Sequence, residues 1–217
     1  MGKQNKPVVG SREVRAFSMP DIRAADGGNV IEGHAAVFGQ AYDMYGCWSE
    51  TIARGAFDNT DFSDVLFSIN HDLSRIPLAR SRNNNENSTL HLTVDDQGLG
   101  TRAMLDTENN SEAKSLYSAV GRGDISGMSY IFVVRTDEWT ELDSDYPKRM
   151  ITDIARVYEV SAVSFPANPG TDISTRSQDT LESAKKVLES ARARALDSAN
   201  EGSELEILQL KNKILSK

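Results

Sequence analysis

The chain has 217 residues, of which 39% are hydrophobic and 26% charged, a composition typical of a soluble globular protein with one full-sized domain and an appendage. Its net charge of −8 argues against a main role in wrapping nucleic acid, because that role needs clustered Lys and Arg. No apolar run approaches the roughly 20 residues that span a bilayer, so we expect no membrane segment. With Cys47 as the sole cysteine and only three histidines, we expect no internal disulfide, no metal site and no cofactor.

The first part of the chain predicts an arm followed by two strands. Residues 1–15 are polar and indicate a flexible arm. A strand follows a Gly-Gly pair over residues 30–38, and the compact apolar run within residues 61–70 suits a buried strand. His71 comes directly after this second strand, where a rigid element can aim its imidazole into a cleft.

The middle of the chain predicts a hairpin and a helix. An asparagine-rich loop over residues 83–88 precedes alternating apolar and polar residues at 90–94, and residues 99–105 return as the hairpin partner. Residues 110–123 then combine an Asn or Ser cap, apolar residues on one face and two closing glycines. This pattern predicts a helix.

The strands that follow the helix complete the predicted domain. One strand is expected over residues 127–135, and the Ile-, Val- and Tyr-rich stretch 148–164 predicts one or two more, closed by Pro166 and Pro169. Many strands with one or two helices indicate a mostly β fold with flanking helices, arranged as a small, mostly antiparallel barrel. We expect this domain to cover residues 16–172.

Residues 173–217 predict a helical carboxy-terminal tail. The first helix carries apolar residues at helical spacing: Leu181, Ala184, Val187, Leu188, Ala191, Ala195 and Leu196. A break at 200–202 precedes a capping box of Ser203 and Glu206, which begins a second helix with Leu205, Leu208 and Ile214. Both apolar stripes are narrow. We therefore expect a detachable tail that packs on a partner or not at all.

Three short motifs contain the side chains of a nucleophilic site. The sequence reads Asn-His-Asp around His71, Gly-Met-Ser up to Ser129, and Glu-Val-Ser from Glu159. A histidine, a serine and a carboxylate are the three groups that make a hydroxyl nucleophilic at neutral pH. A histidine can accept and return a proton in this pH range, which suits His71 to the role of general base.

The order of these motifs resembles the prohead (capsid-maturation) proteases of tailed bacteriophages, relatives in fold of the herpesvirus assemblins. Residues 31–38 and 50–57 are similar to the opening strand and Gly-Ala-Phe turn of that family, so the likeness covers roughly the first three-quarters of the chain. The resemblance implies a barrel of the herpesvirus-protease type. It also implies Ser129 as nucleophile, His71 as general base and Glu159 as the acid that orients the histidine.

Alternatives remain for two of these roles. Ser126 is a rival nucleophile, because the sequence Ile125-Ser126-Gly127 could also present a hydroxyl. Asp153 is a second candidate for the acid, because a regular strand would place it on the same face as Glu159. Assemblins use a second histidine here, but this chain has none after His91. His34 and His91 are themselves expected to be surface or satisfied core residues.

The resemblance implies a serine endopeptidase of prohead maturation that cleaves scaffold or capsid-protein amino-terminal segments and then its own chain. Its partners would be the major capsid protein with its scaffold segment and further copies of itself, without nucleic acid or membrane. The expected location is the host cytoplasm, inside the assembling prohead.

One alternative function is that of a non-catalytic internal scaffold protein with the same fold. Another is an unrelated hydrolase of small esters, which the lack of a Gly-x-Ser-x-Gly elbow disfavours.

Overall fold

The structure is a computed structural model that describes residues 12–18, 21–25, 27–164, 182 and 184–197. The strands are β1 (Arg12–Ser18), β2 (Arg23–Ala25), β3 (Val30–Val37), β4 (Tyr42–Asp43), β5 (Ser49–Ile52), β6 (Val65–Ile69), β7 (Ala79–Ser81), β8 (Leu90–Val94), β9 (Gly98–Met104), β10 (Gly127–Thr140) and β11 (Lys148–Val163). The helices are α1 (Ser111–Arg122) and α2 (residues 184–197). Neither helix is long and apolar enough within the described ranges to cross a lipid bilayer. The prediction of a mostly β fold with flanking helices is confirmed.

The larger sheet has seven strands and is built around β11. One edge of β11 pairs antiparallel with β10, which pairs in turn with β1. The other edge of β11 pairs in parallel with two short strands, first β5 and then β6. Strands β4 and β7 pair antiparallel with β5 and β6. A single long strand therefore positions three neighbouring strands.

The smaller sheet has the order β2-β3-β9-β8, and apolar side chains of both sheets pack into one core. Helix α1 lies against this sheet, and its Tyr117 hydroxyl donates to the Ala25 carbonyl at 2.7 Å. Over the described residues, the β-ladders do not close into the predicted small, mostly antiparallel barrel. The ladders end at the short strands beside β11, and single backbone hydrogen bonds join the sheets at two corners: Gly39 N to Ile52 O and Thr89 N to Arg80 O.

Most predicted elements have counterparts in the structure. The expected strand at 30–38 corresponds to β3, the apolar run before His71 to β6, and the hairpin to β8 and β9. Helix α1 begins after Asn110, whose side chain accepts from two backbone N–H groups, and ends at Gly123 in the left-handed conformation. Strand β10 runs past the predicted end at 135, because it forms a long hairpin with β11.

The predicted amino-terminal arm is wrong for residues 12–15, which begin strand β1. Glu13 and Arg15 are both buried, and they pair with Glu50 and Arg149. Arg15 Nη2 lies 2.8 Å from Glu50 Oε2, and Arg149 Nη2 lies 2.9 Å from Glu13 Oε1. Charged residues near a terminus normally indicate solvent exposure, and only these partners make their burial possible. The rest of the predicted arm lies outside the described residues.

These four residues form the core of a buried charge cluster that also includes Asp137. Arg149 Nε donates to Asp137 Oδ2 at 2.9 Å, and both side chains are almost fully buried. Burial alone would raise the pKa of Glu13, but Arg15 and Arg149 outweigh it and lower that pKa to about 2. The pKa of Glu50 is lowered for the same reason. The carboxylates therefore stay ionised and paired with the guanidinium groups at neutral pH.

Helix α2 packs on the β4–β5 turn and the β10–β11 hairpin of its own chain, so the prediction of a detachable tail is wrong for this helix. Its buried face meets Met44 and Trp48 and consists of Ala184, Leu188 and Ala191. The Arg192 side chain donates to the carbonyls of Leu142, at 3.0 Å, and Ser144, at 3.1 Å. Leu181, the second predicted helix and the predicted domain end at 172 all lie outside the described residues.

We predict that Leu188→Ala lowers the free energy of unfolding by about 2 kcal/mol, because it leaves a cavity beside Trp48. Leu196→Ala is the matched control, since Leu188 is 9% exposed and Leu196, on the same helix, 66%. Urea unfolding followed by tryptophan fluorescence measures both. Equal, near-zero effects of the two substitutions would contradict the packing of α2 beside Trp48.

His34 on β3 lies between two aspartates, which agrees with its expected role as a satisfied residue away from the nucleophilic motifs. Its Nδ1 contacts Asp21 Oδ2, and its Nε2 lies 3.0 Å from Asp95 Oδ2. Partial burial lowers the pKa of His34, but its hydrogen bonds and charge interactions with Asp21 and Asp95 outweigh this and raise it above 6.5. The protonated imidazole therefore stabilises the folded chain.

A group whose pKa is raised on folding contributes its full stability below the unfolded value and loses it as pH rises through the folded value. We therefore predict that wild type exceeds His34→Gln in unfolding free energy most clearly below the unfolded pKa of about 6.5, and that the difference declines as the pH rises through the folded value. Urea unfolding of both chains across this range measures it. The difference in unfolding free energy between wild type and Asp95→Asn should be smaller and have the same sign. A difference that grows with pH would contradict the pairing.

Candidate active site

Neighbouring strands of the larger sheet bring His71, Ser129 and Glu159 together. The antiparallel ladder places Ser129 on β10 opposite Ser161 on β11, two residues beyond Glu159. His71 follows the end of β6, which runs parallel to β11 with Leu66 beside Glu159. Alternate residues of a strand share a face, so Glu159 and Ser161 point to the side on which Ser129 lies.

The three side chains form a continuous hydrogen-bonded series. His71 Nε2 lies 2.5 Å from Ser129 Oγ, and His71 Nδ1 lies 2.5 Å from Glu159 Oε2. Ser129 and Glu159 are fully buried, whereas 21% of the His71 side chain is exposed. Such a series can move a proton from the hydroxyl to the imidazole while the carboxylate stabilises the imidazolium. The exposed imidazole edge is where solvent reaches the site.

A left-handed turn at the end of β6 directs His71 back over β11. Asn70 and His71 have φ values of 52° and 59°, a conformation that Asn and His adopt more readily than most residues. The Asn70 N–H donates to the Ala162 carbonyl at 3.0 Å. Its side chain accepts from Ser164 N at 3.0 Å and donates to Ser164 Oγ at 3.2 Å. These bonds clamp the turn to the end of β11.

The second oxygen of Glu159 contacts two buried serines, Ser68 and Ser161, to which the sequence motifs assigned no role. Ser68 Oγ and Ser161 Oγ both contact Glu159 Oε1, and the His71 N–H donates to Ser161 Oγ at 3.1 Å. Two features of the sequence could have identified these serines. Ser68 interrupts an otherwise apolar buried strand, and Ser161 lies two residues after Glu159 and therefore shares its face.

The structure does not bring the alternative residues to His71. Asp153 pairs with Arg135, with oxygens 2.7 and 2.8 Å from Nη1. Register shifts in the β10–β11 ladder lie between Asp153 and Glu159 and break the regular alternation on which the prediction depended. Ser126 is exposed and precedes β10.

The hydroxyl of Ser129 has a second acceptor within reach. Ser129 Oγ lies 2.8 Å from the carbonyl oxygen of Arg15, on the neighbouring strand β1. A serine hydroxyl carries one proton, so Ser129 can donate either to this carbonyl or to His71 Nε2. The buried charge cluster holds the Arg15 side chain, so it also fixes the backbone beside the hydroxyl.

Comparisons with known proteins point to one family. The sequence model of the caudovirus prohead serine protease family matches residues 17–187, a range that includes His71, Ser129 and Glu159. The prohead protease of Enterobacteria phage HK97 is 29% identical over 178 residues, which are 79% of this chain and 72% of that relative. The solved bacteriophage T4 capsid assembly protease aligns with 72% of this chain and 100% of its own, at 12% identity and a TM-score of 0.38. A TM-score this low does not establish a common fold.

We predict that Asn70→Ala and Asn70→Gly both loosen the turn, because each removes the side-chain bonds to Ser164. The alanine variant should unfold with about 1 kcal/mol less free energy than the glycine variant, since only glycine adopts positive φ without strain. Modification by diethyl pyrocarbonate, mapped by mass spectrometry, should become faster at His71 and stay unchanged at His34. Unchanged His71 reactivity in both variants would contradict the clamp.

Proposed function

The chain belongs to the caudovirus prohead serine protease family, and from this premise we propose that it is a serine endopeptidase that matures phage capsids. We propose further that it cleaves scaffold or capsid-protein amino-terminal segments and then its own chain. The observation that supports this most strongly is the series Ser129–His71–Glu159, with 2.5 Å separations on both sides of the imidazole.

In the proposed mechanism, Ser129 Oγ attacks the scissile carbonyl carbon while its proton passes to His71 Nε2. His71 then returns this proton to the leaving amine, and the acyl-enzyme is hydrolysed by the reverse sequence with water as nucleophile. Glu159 holds the Nδ1–H and stabilises the imidazolium, an effect that is large because the carboxylate is buried. The productive state requires the Ser129 hydroxyl to donate to His71 instead of the Arg15 carbonyl.

The proposed partners follow from the family. They are the major capsid protein with its scaffold segment and further copies of the protease, met inside the assembling prohead in the host cytoplasm. The name of the phage HK97 relative, a prohead protease, supports this setting.

The tail of residues 173–217 is proposed as the packaging or autoprocessing segment. Because the apolar face of α2 is covered by the β4–β5 turn and the β10–β11 hairpin, we propose that the tail contacts partners through other residues, such as the exposed Leu196.

A non-catalytic scaffold protein with the same fold is the alternative. A scaffold needs no alignment of a hydroxyl, an imidazole and a buried carboxylate. The contacts of His71 with Ser129 and Glu159 therefore favour the endopeptidase.

We predict that Ser129→Ala abolishes cleavage and leaves the fold intact, because it removes the nucleophile and exchanges a hydroxyl for a hydrogen. The loss in kcat should be on the order of 10⁴–10⁶-fold. The test follows cleavage of capsid-derived peptides and the intact mass of the purified chain over time. Ser126→Ala, which alters an exposed serine three residues away, is the matched control and should cleave normally.

Glu159→Gln should also reduce kcat strongly, whereas Asp153→Asn should not, because of these two carboxylates it is Glu159 that contacts the imidazole. Inactive Ser126→Ala with active Ser129→Ala would move the nucleophile. An inactive Asp153→Asn beside an unaffected Glu159→Gln would transfer the third role to Asp153. A stable wild-type chain that cleaves neither itself nor capsid-derived peptides would favour the scaffold protein.

A further inference from the structure

The buried carboxylate of Glu159 divides its two oxygens between different partners. Oε2 faces His71 Nδ1, while Oε1 contacts the hydroxyls of Ser68 and Ser161. Both serines are buried in the sheet, at paired positions of the parallel strands β6 and β11. The carboxylate is thus enclosed by hydrogen-bond donors on both sides and has no contact with bulk solvent.

The available protons decide how the two serines bond. Three oxygens, those of Ser68, Ser161 and Glu159 Oε1, lie in mutual contact, with 2.7 Å between the two hydroxyls. Only two hydroxyl protons are available for these three contacts. A carboxylate oxygen is a stronger acceptor than a hydroxyl, so both protons are directed to Oε1. The lone pairs of Ser161 Oγ are then free to accept.

Ser161 uses this accepting capacity toward the histidine. The backbone N–H of His71 donates to Ser161 Oγ at 3.1 Å, while the same hydroxyl donates to Glu159. One hydroxyl therefore connects the main chain of the histidine with the carboxylate that holds its imidazole. In addition, Ser161 faces Ser129 across the β10–β11 ladder, so it occupies the centre of the site.

We propose that Ser161, supported by Ser68, is a positioning residue of this site. Its hydrogen bond to Glu159 Oε1 directs Oε2 at His71 Nδ1, and its hydrogen bond from the His71 N–H holds the turn so that the imidazole stays within reach of that oxygen. This inference rests on the proposed endopeptidase function for its kinetic consequence, but the arrangement itself can be measured without any substrate. Neither serine touches the substrate; both act through Glu159 and His71.

The physical reason lies in the rotational freedom of a carboxylate. Without donors on Oε1, Glu159 would turn to share both oxygens with the nearest N–H groups, or draw water into the sheet. Displacements of about 1 Å from productive geometry cost on the order of 100-fold in rate. The two hydroxyls prevent this displacement and leave Oε2 to the imidazole.

The kinetic test compares single serine-to-alanine variants of the full chain in the cleavage of a capsid-derived peptide. Ser161→Ala should lower kcat about 10–100-fold with KM within about twofold of wild type. Ser68→Ala should have a smaller effect in the same direction, and Ser68→Thr, which keeps the hydroxyl, should recover most of the activity. Ser81→Ala is the matched control, because Ser81 is also a fully buried strand serine but bonds to Asn84, away from the site.

A spectroscopic measurement tests the arrangement itself. The Nδ1–H proton of a histidine bonded to a carboxylate resonates far downfield, and the histidine-labelled wild-type chain should show this signal for His71, to be assigned separately from that of His34, whose Nδ1 contacts Asp21. Ser161→Ala should shift or broaden it, whereas Ser81→Ala should leave it unchanged. A wild-type chain with the signal but without peptidase activity would contradict the proposed function and leave the positioning inference to be decided by the signal of Ser161→Ala.

Two results would overturn the inference. One is a Ser161→Ala chain with wild-type kcat and an unchanged His71 signal. The other is a loss of stability in Ser161→Ala, equal to that in Ser81→Ala, with no separate change in kcat. Either result would assign the serine to packing alone.

Discussion

The ladder between β10 and β11 is the constraint on which the arrangement of the site depends. Side chains alternate between faces along a strand, so a slip of one residue would turn Glu159 and Ser161 away from Ser129. The backbone pairing along the length of the β10–β11 hairpin opposes such a slip. The parallel pairing of β6 with the other edge of β11 sets the position of His71 relative to the same strand. One strand thereby sets the relative positions of all three side chains.

The buried charge cluster makes the beginning of the chain part of the same framework. Removing one partner from a buried ion pair costs about 3–5 kcal/mol, because the remaining charge stays uncompensated. Here two guanidinium groups face the carboxylates of Glu13, Glu50 and Asp137, and Arg194 of α2 approaches Asp137 at 3.6 Å. Cluster members come from β1, β5, β10 and β11, so the charge pairing reinforces the hydrogen-bonded sheet. It also holds the Arg15 carbonyl beside the hydroxyl of Ser129.

Much of the fold follows from local patterns in the sequence. The apolar run before His71, the alternating hairpin of β8 and β9, and the capped helix α1 depend on neighbouring residues, and the structure has each of them close to its predicted bounds. That the described strands do not close into the predicted barrel could not be inferred in the same way. Closure depends on which edges pair, and the second edge of β11 pairs with short parallel strands, a choice made by contacts far apart in the chain.

The sequence by itself determined the elements and the chemical types of the candidate site, because propensity, capping and motif order are local properties. Only the tertiary structure decided which residues meet. The parallel pairing of β6 with the end of β11 places Glu159, and not Asp153, beside His71, although a regular strand would put both carboxylates on one face. Glu13 and Arg15 look solvated in the sequence, and burial becomes tolerable only when opposite charges from distant strands surround them. The narrow apolar face of α2 likewise does not reveal its partner in the sequence, because hydrophobic packing has no direction until another surface is present.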